Sequence, residues 1–528
     1  MKTHATDNVL RLATFCLAVW LCLLVSGCTS LNPNAPRPIT ESFQPLERTP
    51  LQEWRASLDL PSGISAFHLV TSGRDALAAR LALIDQAAST IDMQYYMLRD
   101  DSSTQLIISR LLQAADRGVR VRLLVDDIFG LKRDHILATL SAHPNIEIRV
   151  FNPFLARGKA NPLRLLEFLQ KSSLNKRMHN KLLVVDNTAL VVGGRNLGNE
   201  YFDSEAETEF TDLDVLVMGP VVYEASESFD EYWNHQLAVP VRAFLRDMPT
   251  EEHLEVMRSR LQRLITQLRQ NNYPMQFSLS TLAEGISNHQ LSFRRGKAHM
   301  LYDRPEKVLN EGRRLFKGVY LAADLYPAIA KTREDVLLVS AYFVPGPRLR
   351  DLLEGLVSSG VRVRLLTNSL AATDVAYVHG AYSRWRGPLI DAGVEIYEMR
   401  PLAKRPLASF RLIGRSRSSL HAKALILDSR QVFIGSMNLD QRSVYLNTET
   451  GILIDCPDLA ADLRASFERL MLPDMSYEVY ADKEEPGRLL WWGIRSGKDV
   501  VLRRDPEAGF WKRWKAAFLG KILPERML

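Results

Sequence analysis

His179-Asn180-Lys181 followed by Asp186, and His421-Ala422-Lys423 followed by Asp428, both follow the pattern H-x-K-x₄-D. The two histidines are 242 residues apart (421 − 179), and the lysines and aspartates keep the same offset. A doubled motif at one offset indicates that the chain contains an internal duplication.

Two further stretches support the duplication. A pair of small residues and an asparagine follow each motif, as Gly193-Gly194-Arg195-Asn196 and as Gly435-Ser436-Met437-Asn438. All seven residues of 118–124, Gly-Val-Arg-Val-Arg-Leu-Leu, recur at 360–366, again 242 residues later (360 − 118). Chance similarity between two apolar strands does not produce seven consecutive matches at the offset of the motifs.

Hydrophobic periodicity predicts the local structure of each repeat. In the first, helices over 75–88 and 105–115 alternate with strands over 91–96 and 119–125. In the second, strands over 336–344 and 361–367 enclose a helix over 349–357, and a further helix over 375–386 stops at Gly387-Pro388. Strand, helix and strand in alternation favour an α/β fold with parallel pairing.

The doubled motif with its trailing asparagines resembles the phospholipase D superfamily over about residues 61–475. Three segments narrow the resemblance to bacterial cardiolipin synthases, and to the C-type synthases most closely: 91–96, 193–201 and 379–382. The resemblance implies an α/β fold of two fused phospholipase D-like α/β/α domains, with mixed, largely parallel sheets and pseudo-two-fold symmetry.

The chain divides into six parts. We interpret them as a lipoprotein signal peptide (1–27), a proline-rich tether (28–60), a first phospholipase D-like repeat (61–240), a connector (241–310), a second repeat (311–475) and an aromatic, basic amphipathic tail (476–528). The connector contains a charged amphipathic helix over 251–270 and an irregular segment over 271–300.

The N-terminus predicts an exported protein. A charge-free apolar run over 12–25 ends in Val25-Ser26-Gly27-Cys28, which resembles a bacterial lipobox with Cys28 as the acylated residue. An uncleaved anchor helix and a plain signal peptide are the alternatives. We therefore expect a membrane-anchored lipoprotein of the bacterial cell envelope that faces the periplasm. Only Cys456 would remain outside the leader and the acylation site, so no intramolecular disulfide is expected.

Composition is that of a globular protein, with 46% hydrophobic and 24% charged residues, and the net charge of +6 suits an anionic partner. The chain contains no C-x₂-C pair, no H-E-x-x-H and no Walker loop, so we expect neither a metal nor a cofactor.

The residue types of the two motifs suit attack on a phosphodiester. One histidine can attack phosphorus and form a phosphohistidine, while the other protonates the leaving alcohol and later deprotonates the incoming one. Lys181 and Lys423 can neutralise the non-bridging oxygens, to which Asn196 and Asn438 can donate hydrogen bonds. His and Lys two residues apart on a strand share one face of the sheet.

Each reactive histidine also needs an acceptor on its other ring nitrogen. In the second repeat, Glu449 matches the acidic position that the resemblance to the superfamily implies. In the first repeat we prefer Asp212, with Asp214 and Glu207 behind it. Asp186 and Asp428 belong to the motifs, and we expect them to fix the turn after each histidine strand.

The residues do not decide which histidine attacks. The resemblance favours His179 as the nucleophile and His421 as the acid and base. His379 fits an H-x-x-Y pattern that can line an acceptor pocket, although a surface histidine is an equal alternative. Basic residues before each motif could hold lipid headgroups: Arg157, Lys159, Arg164, Lys171, Lys176 and Arg177, then Arg400, Lys404, Arg405, Arg411, Arg415 and Arg417.

The tail carries Phe510, Trp514 and Phe518 at helical spacing, with cations beside them. A helix lying in a membrane interface and a terminal helix that docks its aromatic rings on the enzyme both fit this pattern.

Four functions fit the motifs. The resemblance implies a phosphatidyltransferase that forms cardiolipin from phosphatidylglycerol and a second phospholipid, with phosphatidylethanolamine as a candidate. A hydrolytic phospholipase D, a nuclease and a non-catalytic lipid-binding scaffold are the alternatives. We expect membrane phospholipids as partners and no nucleic acid, since a membrane-tethered protein outside the cytoplasm rarely meets it. The sequence indicates no protein partner.

Overall fold

The computed structural model describes residues 35–44, 48–128, 134–154, 172–202, 208–245, 247–270, 280–310, 315–401, 417–522 and 525. The predicted signal peptide, Cys28, Glu207 and most of the basic residues before the two motifs lie outside these ranges.

The first repeat alternates strands and helices. Its strands are β1 (Ser65–Val70), β2 (Thr90–Tyr95), β3 (Arg120–Asp126), β4 (Ile146–Phe151), β5 (Lys181–Val185), β6 (Ala189–Gly193), β7 (Thr208–Thr211), β8 (Asp214–Met218) and β9 (Ala238–Pro240). Its helices are α1 (Pro50–Ser57), α2 (Gly73–Gln86), α3 (Ser102–Asp116), α4 (Asp134–Leu140) and α5 (Val221–Asn234).

Between the repeats lie α6 (Glu251–Gln270), α7 (Thr281–Ser287) and β10 (Arg294–Tyr302). The second repeat has the strands β11 (Asp335–Ser340), β12 (Phe343–Val344), β13 (Arg362–Asn368), β14 (Glu395–Met399), β15 (Arg417–Leu420), β16 (Lys423–Leu427), β17 (Gln431–Gly435), β18 (Leu439–Asp440) and β19 (Thr450–Asp455). Its helices are α8 (Leu321–Ala330), α9 (Gly346–Ser358), α10 (Ala376–Asp391), α11 (Gln441–Tyr445) and α12 (Pro457–Leu470). The tail forms β20 (Ser476–Ala481), β21 (Leu489–Arg495), β22 (Lys498–Leu502) and α13 (Phe510–Ile522).

Strand order repeats from one half to the other. The first sheet runs β1-β8-β6-β5-β2-β3-β4-β9, and the second runs β10-β19-β17-β16-β11-β13-β14-β20 before continuing into β21 and β22. Strand β10 pairs with β1 through its first residues and with β19 through the rest, so it joins the two sheets. The duplicated sequence therefore folds into two equivalent mixed sheets, as the resemblance implies.

The sheets are less parallel than predicted. Among the described strands of these two sheets, only β2, β3 and β4, and likewise β11, β13 and β14, pair in parallel, since α3, α4, α9 and α10 supply their crossovers. Hairpins such as β5–β6 and β16–β17 make the flanking part of each sheet antiparallel.

Two local expectations are wrong. The segment 271–300 was expected to be irregular, yet it contains α7 and the start of β10. Helix α10 passes through Pro388 to Asp391 instead of stopping at Gly387, and Leu389 beyond the proline is fully buried in the core. Burial of this last turn offsets the proline penalty.

Within the part of the chain that the structure describes, none of the helices combines the length and the apolar character needed to span a bilayer.

Candidate active site

Each motif histidine lies just before a central strand, in a segment that contacts the other repeat. The backbone N–H of His179 donates to the carbonyl of Thr448 at 2.8 Å, and that of His421 donates to the carbonyl of Thr211 at 2.8 Å. Residues 417–420 also pair in parallel with 208–211. The two halves therefore exchange backbone contacts at the position where the histidines lie.

Residues at the carboxyl ends of β3 and β13 hold these segments in place. Asp126 accepts the N–H of Met178 at 2.9 Å, and Asn368 accepts the N–H of Leu420 at 2.9 Å. Asp126 and Asn368 are 242 residues apart (368 − 126), as are the two residues they bind. Each repeat therefore keeps, at the same position, a residue that binds the backbone just before the motif histidine.

The acidic partners are exchanged between the repeats. Nδ1 of His179 lies 2.8 Å from Oε2 of Glu449, and Nδ1 of His421 lies 2.5 Å from Oδ2 of Asp212. One carboxylate in each repeat is predicted from the sequence, but this crossing is not. Among the described residues, the carboxylate that contacts each motif histidine comes from the other repeat, so this arrangement requires both repeats.

The two pairs differ in charge. Burial alone would raise the pKa of Asp212, but His421 and Lys423 lower it below its usual range, so this carboxylate is ionised. Burial raises the pKa of Glu449 to about 7, although Lys181 opposes the shift. Glu449 Oε2 also accepts the hydroxyl of Ser436 at 2.5 Å. His421 therefore faces the more firmly charged acceptor.

Both imidazoles are neutral in the unliganded site. Burial, followed by the charge of Lys181, lowers the pKa of His179 well below its usual range, and burial and Lys423 lower that of His421. An ionised carboxylate can only accept, so Nδ1 of His421 carries the proton and Nε2 keeps its lone pair. Both side chains retain a little exposure, 9% for His179 and 7% for His421.

The motif lysines are buried beside the histidines that precede them. Lys181 Nζ donates to the carbonyl of His179 at 2.6 Å, and Lys423 Nζ lies 2.9 Å from Nδ1 of His421 and donates to the carbonyl of the same residue. Burial lowers the pKa of Lys181 to about 7 and that of Lys423 to about 8. A phosphodiester bound between them would restore their charge, because it supplies the missing counter-ion.

The small residues after each motif make room for the carboxylates. A Cβ on Gly194 would lie 2.2 Å from Oδ1 of Asp212. The equivalent residue of the second repeat is Ser436, whose hydroxyl instead donates to Glu449 and accepts the N–H of Thr450 at 3.0 Å. The two repeats therefore fit their carboxylates in different ways.

Asn196 and Asn438 are buried as predicted. The Asn196 amide nitrogen donates to the hydroxyl of Tyr201 at 2.9 Å, and Oδ1 of both asparagines is buried with no hydrogen-bond partner among the described residues. An amide oxygen only accepts, so a bound phosphoryl oxygen would have to take its hydrogen bond from the amide nitrogens instead. That role stays a prediction.

Asp186 and Asp428 lie at tight turns and bind backbone, as expected for structural residues. Asp186 accepts the N–H groups of residues 88–90 at the start of β2. Asp428 accepts those of residues 333–335 at the start of β11. Both adopt a positive φ, 52° and 51°. Each carboxylate thus joins its motif strand to the neighbouring strand.

Several supporting residues are missing from the sequence analysis. Tyr96 lies edge-on to His179 with ring centroids 4.9 Å apart, and Tyr201 lies edge-on to His421 at 5.2 Å. Asp303, at the end of β10, accepts the N–H of Glu449 at 2.8 Å and pairs with the buried Lys307. Tyr96 and Tyr201 lie within the segments 91–96 and 193–201 that carry the family resemblance, so they could have been found from the sequence. No motif or repeat in the sequence points to Asp303.

Some predicted binding residues are structural. Lys176, Arg177 and Arg400 donate to backbone carbonyls within the fold, so they are not free to hold headgroups. His379 is 5% exposed, which excludes the surface alternative, and its Nε2 lies 3.2 Å from Asp505 in the tail. A place in the acceptor pocket stays a prediction.

His379, Glu398 and Asp505 are the described set of side chains spaced closely enough to hold a metal ion. Arg386 already donates to Glu398 at 2.9 Å and to Asp505 at 2.8 Å. Since the guanidinium supplies the cation that these carboxylates need, we propose no metal site there.

A duplicated α/β fold with an H-x-K-x₄-D histidine and a crossed carboxylate in each half defines a two-repeat phospholipase D-like protein. The family model described as "Cardiolipin synthase, PLD-like domain" matches residues 81–233 and 325–471. The chain therefore belongs to the PLD-like cardiolipin synthase family, which confirms the predicted resemblance.

Similarity to individual proteins supports the same family assignment. The chain is 38% identical over 460 residues to "Cardiolipin synthase C" of Escherichia coli (strain K12), covering 86% of this chain and 94% of the relative. It is 34% identical over 515 residues to an uncharacterised protein of Helicobacter pylori (strain ATCC 700392 / 26695), covering 95% and 97%. The crystal structure of phosphatidylserine synthase from Haemophilus influenzae Rd KW20 matches with a TM-score of 0.53 and 15% identity, covering 89% and 96%, and supports the fold.

Proposed function

We propose that this protein is a phosphatidyltransferase that forms cardiolipin from phosphatidylglycerol and a second phospholipid through a phosphohistidine intermediate. The observation that carries the proposal is the crossed arrangement of the two histidine–carboxylate pairs, in which the carboxylate on each motif histidine comes from the other repeat. Each histidine is also close enough to the lysine of the other motif for that charge to lower its pKa. Membership of a family whose relatives include "Cardiolipin synthase C" supports the substrate class.

In the first step, Nε2 of His179 attacks the phosphorus of a phosphatidyl donor. The bond from phosphorus to the headgroup oxygen breaks, and the leaving alcohol takes a proton from Nε2 of His421. The leaving alcohol is glycerol if phosphatidylglycerol is the donor and ethanolamine if phosphatidylethanolamine is. His421 suits the acid role because its ionised partner Asp212 and the charge of the bound phosphodiester both favour an imidazolium.

In the second step, His421 removes the proton from a glycerol hydroxyl of phosphatidylglycerol. That oxygen attacks the phosphorus, the bond to His179 breaks, and cardiolipin leaves. The ammonium groups of Lys181 and Lys423 stabilise the charge on the non-bridging oxygens in both steps. His421 takes up a proton at Nε2 when the phosphodiester binds, gives it to the leaving alcohol and regains one from the acceptor hydroxyl, so the protons balance over the whole cycle.

A hydrolytic phospholipase D remains the second candidate, because water in place of the glycerol hydroxyl would complete the same second step and release phosphatidic acid. A nuclease uses the same four side chains, but the relatives named as cardiolipin synthases favour lipid. Both H-x-K-x₄-D motifs are complete, which disfavours a role as a non-catalytic lipid-binding scaffold.

For localisation we propose a lipoprotein anchored through Cys28 in the cell envelope and facing the periplasm. The lipobox-like segment before Cys28 supports this proposal.

Mass spectrometry of lipids tests the function. The purified protein is incubated with phosphatidylglycerol alone, and with phosphatidylglycerol plus phosphatidylethanolamine that carries a deuterated acyl chain. We expect cardiolipin, with the deuterated chain incorporated if phosphatidylethanolamine is the donor. Phosphatidic acid as the main product would favour the hydrolase. His179→Ala and His421→Ala should abolish product, whereas His299→Ala, at an exposed histidine on β10, should not.

A further inference from the structure

The C-terminal helix α13 docks on the enzyme through its small residues. A Cβ on Gly380 of α10 would lie 2.0 Å from the carbonyl oxygen of Ala516, and one on Gly520 would lie 2.6 Å from the backbone of Gly380. The backbones of α10 and α13 therefore touch, and Ala516 is 4% exposed. The alternative in which the helix docks its aromatic rings on the enzyme is wrong.

The opposite face of α13 is an aromatic surface open to solvent. Trp511 is 75% exposed, Trp514 is 51% exposed and Phe518 is 47% exposed, and Phe510 and Ile522 at the two ends are exposed as well. The rings contact one another, with Trp514 stacked on Phe518 at 5.0 Å and Trp511 edge-on to Trp514 at 6.2 Å. A continuous exposed surface of this kind marks an interaction site.

Exposed cations lie on and just before the helix that carries this surface. Lys515 and Lys521 belong to α13, Arg503 and Arg504 precede it in the chain, and all four are exposed. The acidic residues of the same stretch are held by arginines, Asp505 by Arg386 and Glu507 by Arg400. Aromatic rings bordered by free cations match the anionic headgroup region of a phospholipid bilayer.

Helix α13 also contacts the loop that follows strand β13 of the second sheet. Lys512 Nζ donates to the carbonyls of Ala371 at 3.0 Å and Thr373 at 2.8 Å. The loop that contains them follows Asn368, the residue that holds Leu420 just before His421. A surface bound by α13 therefore lies next to the loop that borders the His421 side of the site.

We propose that the aromatic face of α13 inserts into the interface of an anionic phospholipid bilayer and holds the His421 side of the active site at the lipid surface. The proposal rests on the proposed function in one respect, since it takes the substrates to be bilayer lipids. It does not depend on the lipid anchor, because the surface belongs to the folded domain. Lipid substrates could then enter the site from the leaflet to which α13 binds.

A local probe tests the proposal in the full-length protein. Phe518→Cys is labelled with an environment-sensitive fluorophore, with Val256→Cys as the matched control, because Val256 is an exposed apolar residue (64%) on α6. The remaining described cysteine, Cys456, is buried. On phosphatidylglycerol–phosphatidylethanolamine vesicles, we expect a blue shift and quenching by brominated lipid at 518 and not at 256. A label at 518 that stays in water, or a blue shift that depends on protein concentration without vesicles, would overturn the proposal. The second result would indicate a contact between two copies of the chain.

An activity test separates this proposal from the function itself. Trp511→Glu/Phe518→Glu should lower activity on vesicles by at least about tenfold, because two exposed aromatic side chains no longer enter the interface. Activity on short-chain monomeric phosphatidylglycerol should stay unchanged, and Val256→Glu should change neither. Equal losses on both substrates would contradict a membrane role. Absence of activity on either substrate in the wild-type protein would instead count against the proposed function, while the fluorescence result would still stand.

Discussion

The replacement Asp212→Asn tests the crossed pairing most selectively, because Asp212 belongs to the first repeat but contacts the histidine of the second. The Asp212 side chain is fully buried, and its Oδ2 lies 2.5 Å from Nδ1 of His421. At about 4 Å between charge centres and an effective dielectric constant of about 20, the pair contributes roughly 4 kcal/mol. A neutral amide retains about 1 kcal/mol of hydrogen bonding, which leaves a loss of about 3 kcal/mol. We therefore expect turnover to fall by about 10²-fold.

The assay that distinguishes the roles uses a donor whose leaving group needs no proton. Formation of the phosphohistidine is followed with phosphatidyl-p-nitrophenol and with phosphatidylglycerol. If His421 is the acid, Asp212→Asn should slow the first step with phosphatidylglycerol and leave it almost unchanged with the activated donor. Glu449→Gln should slow it with both, because Glu449 orients the nucleophile His179. Asp391→Asn at the exposed end of α10 controls for the loss of one negative charge. A loss of turnover below about threefold in Asp212→Asn would refute the acid role of His421. So would the reverse result, in which the activated donor restores the first step in Glu449→Gln but not in Asp212→Asn.

Three further predictions concern the lysines, the glycine and the anchor. Burial lowers the pKa of Lys181 to about 7 and that of Lys423 to about 8, so their charge is lost as the pH rises through this range. The profile of kcat/KM, which reports the free enzyme, should therefore decline above about pH 8, and a plateau to pH 9.5 would contradict the lysine assignment. Gly194→Ala should lower activity by tenfold or more, because the added Cβ would lie 2.2 Å from Oδ1 of Asp212 and displace that carboxylate. Gly355→Ala is the control and should leave activity unchanged, because a Cβ there meets no atom within 4 Å. Equal activities of the two variants would show that the site tolerates a displaced Asp212. Cys28→Ser should release part of the protein from the membrane fraction, and Trp511→Glu/Phe518→Glu should release the rest; complete retention of the combined variant would indicate an uncleaved leader.

How much the sequence could predict differs between parts of the site. The family resemblance predicts Glu449, and Asp212 is the preferred acidic residue of the first repeat, but nothing in a linear pattern says which strand crosses to the other half. The crossing depends on backbone contacts such as that of His179 with Thr448, which form only when the two sheets pack. Asp126 and Asn368 could have been found, because they keep the 242-residue offset while differing in type.

The other differences have local causes. Pro388 is a strong stop signal in sequence, yet burial of Leu389 carries α10 past it. In α13 the helical spacing of the aromatic residues is visible in the sequence. The face that packs on α10, however, is the one with Ala516 and Gly520, and a hydrophobic pattern does not identify these small residues as buried. Asp303 lies in a segment without a motif, and its role arises from the strand β10 that joins the two sheets.

We propose that two imidazoles, one from each repeat, act on opposite sides of one phosphorus atom. Mass-spectrometric mapping of the protein, quenched in alkali during turnover with phosphatidylglycerol, tests this directly, because phosphohistidine survives in alkali. We expect a phosphatidyl adduct on His179 alone, which accumulates in His421→Ala when the activated donor is used. An adduct on another residue, or cardiolipin formation without any adduct, would contradict it.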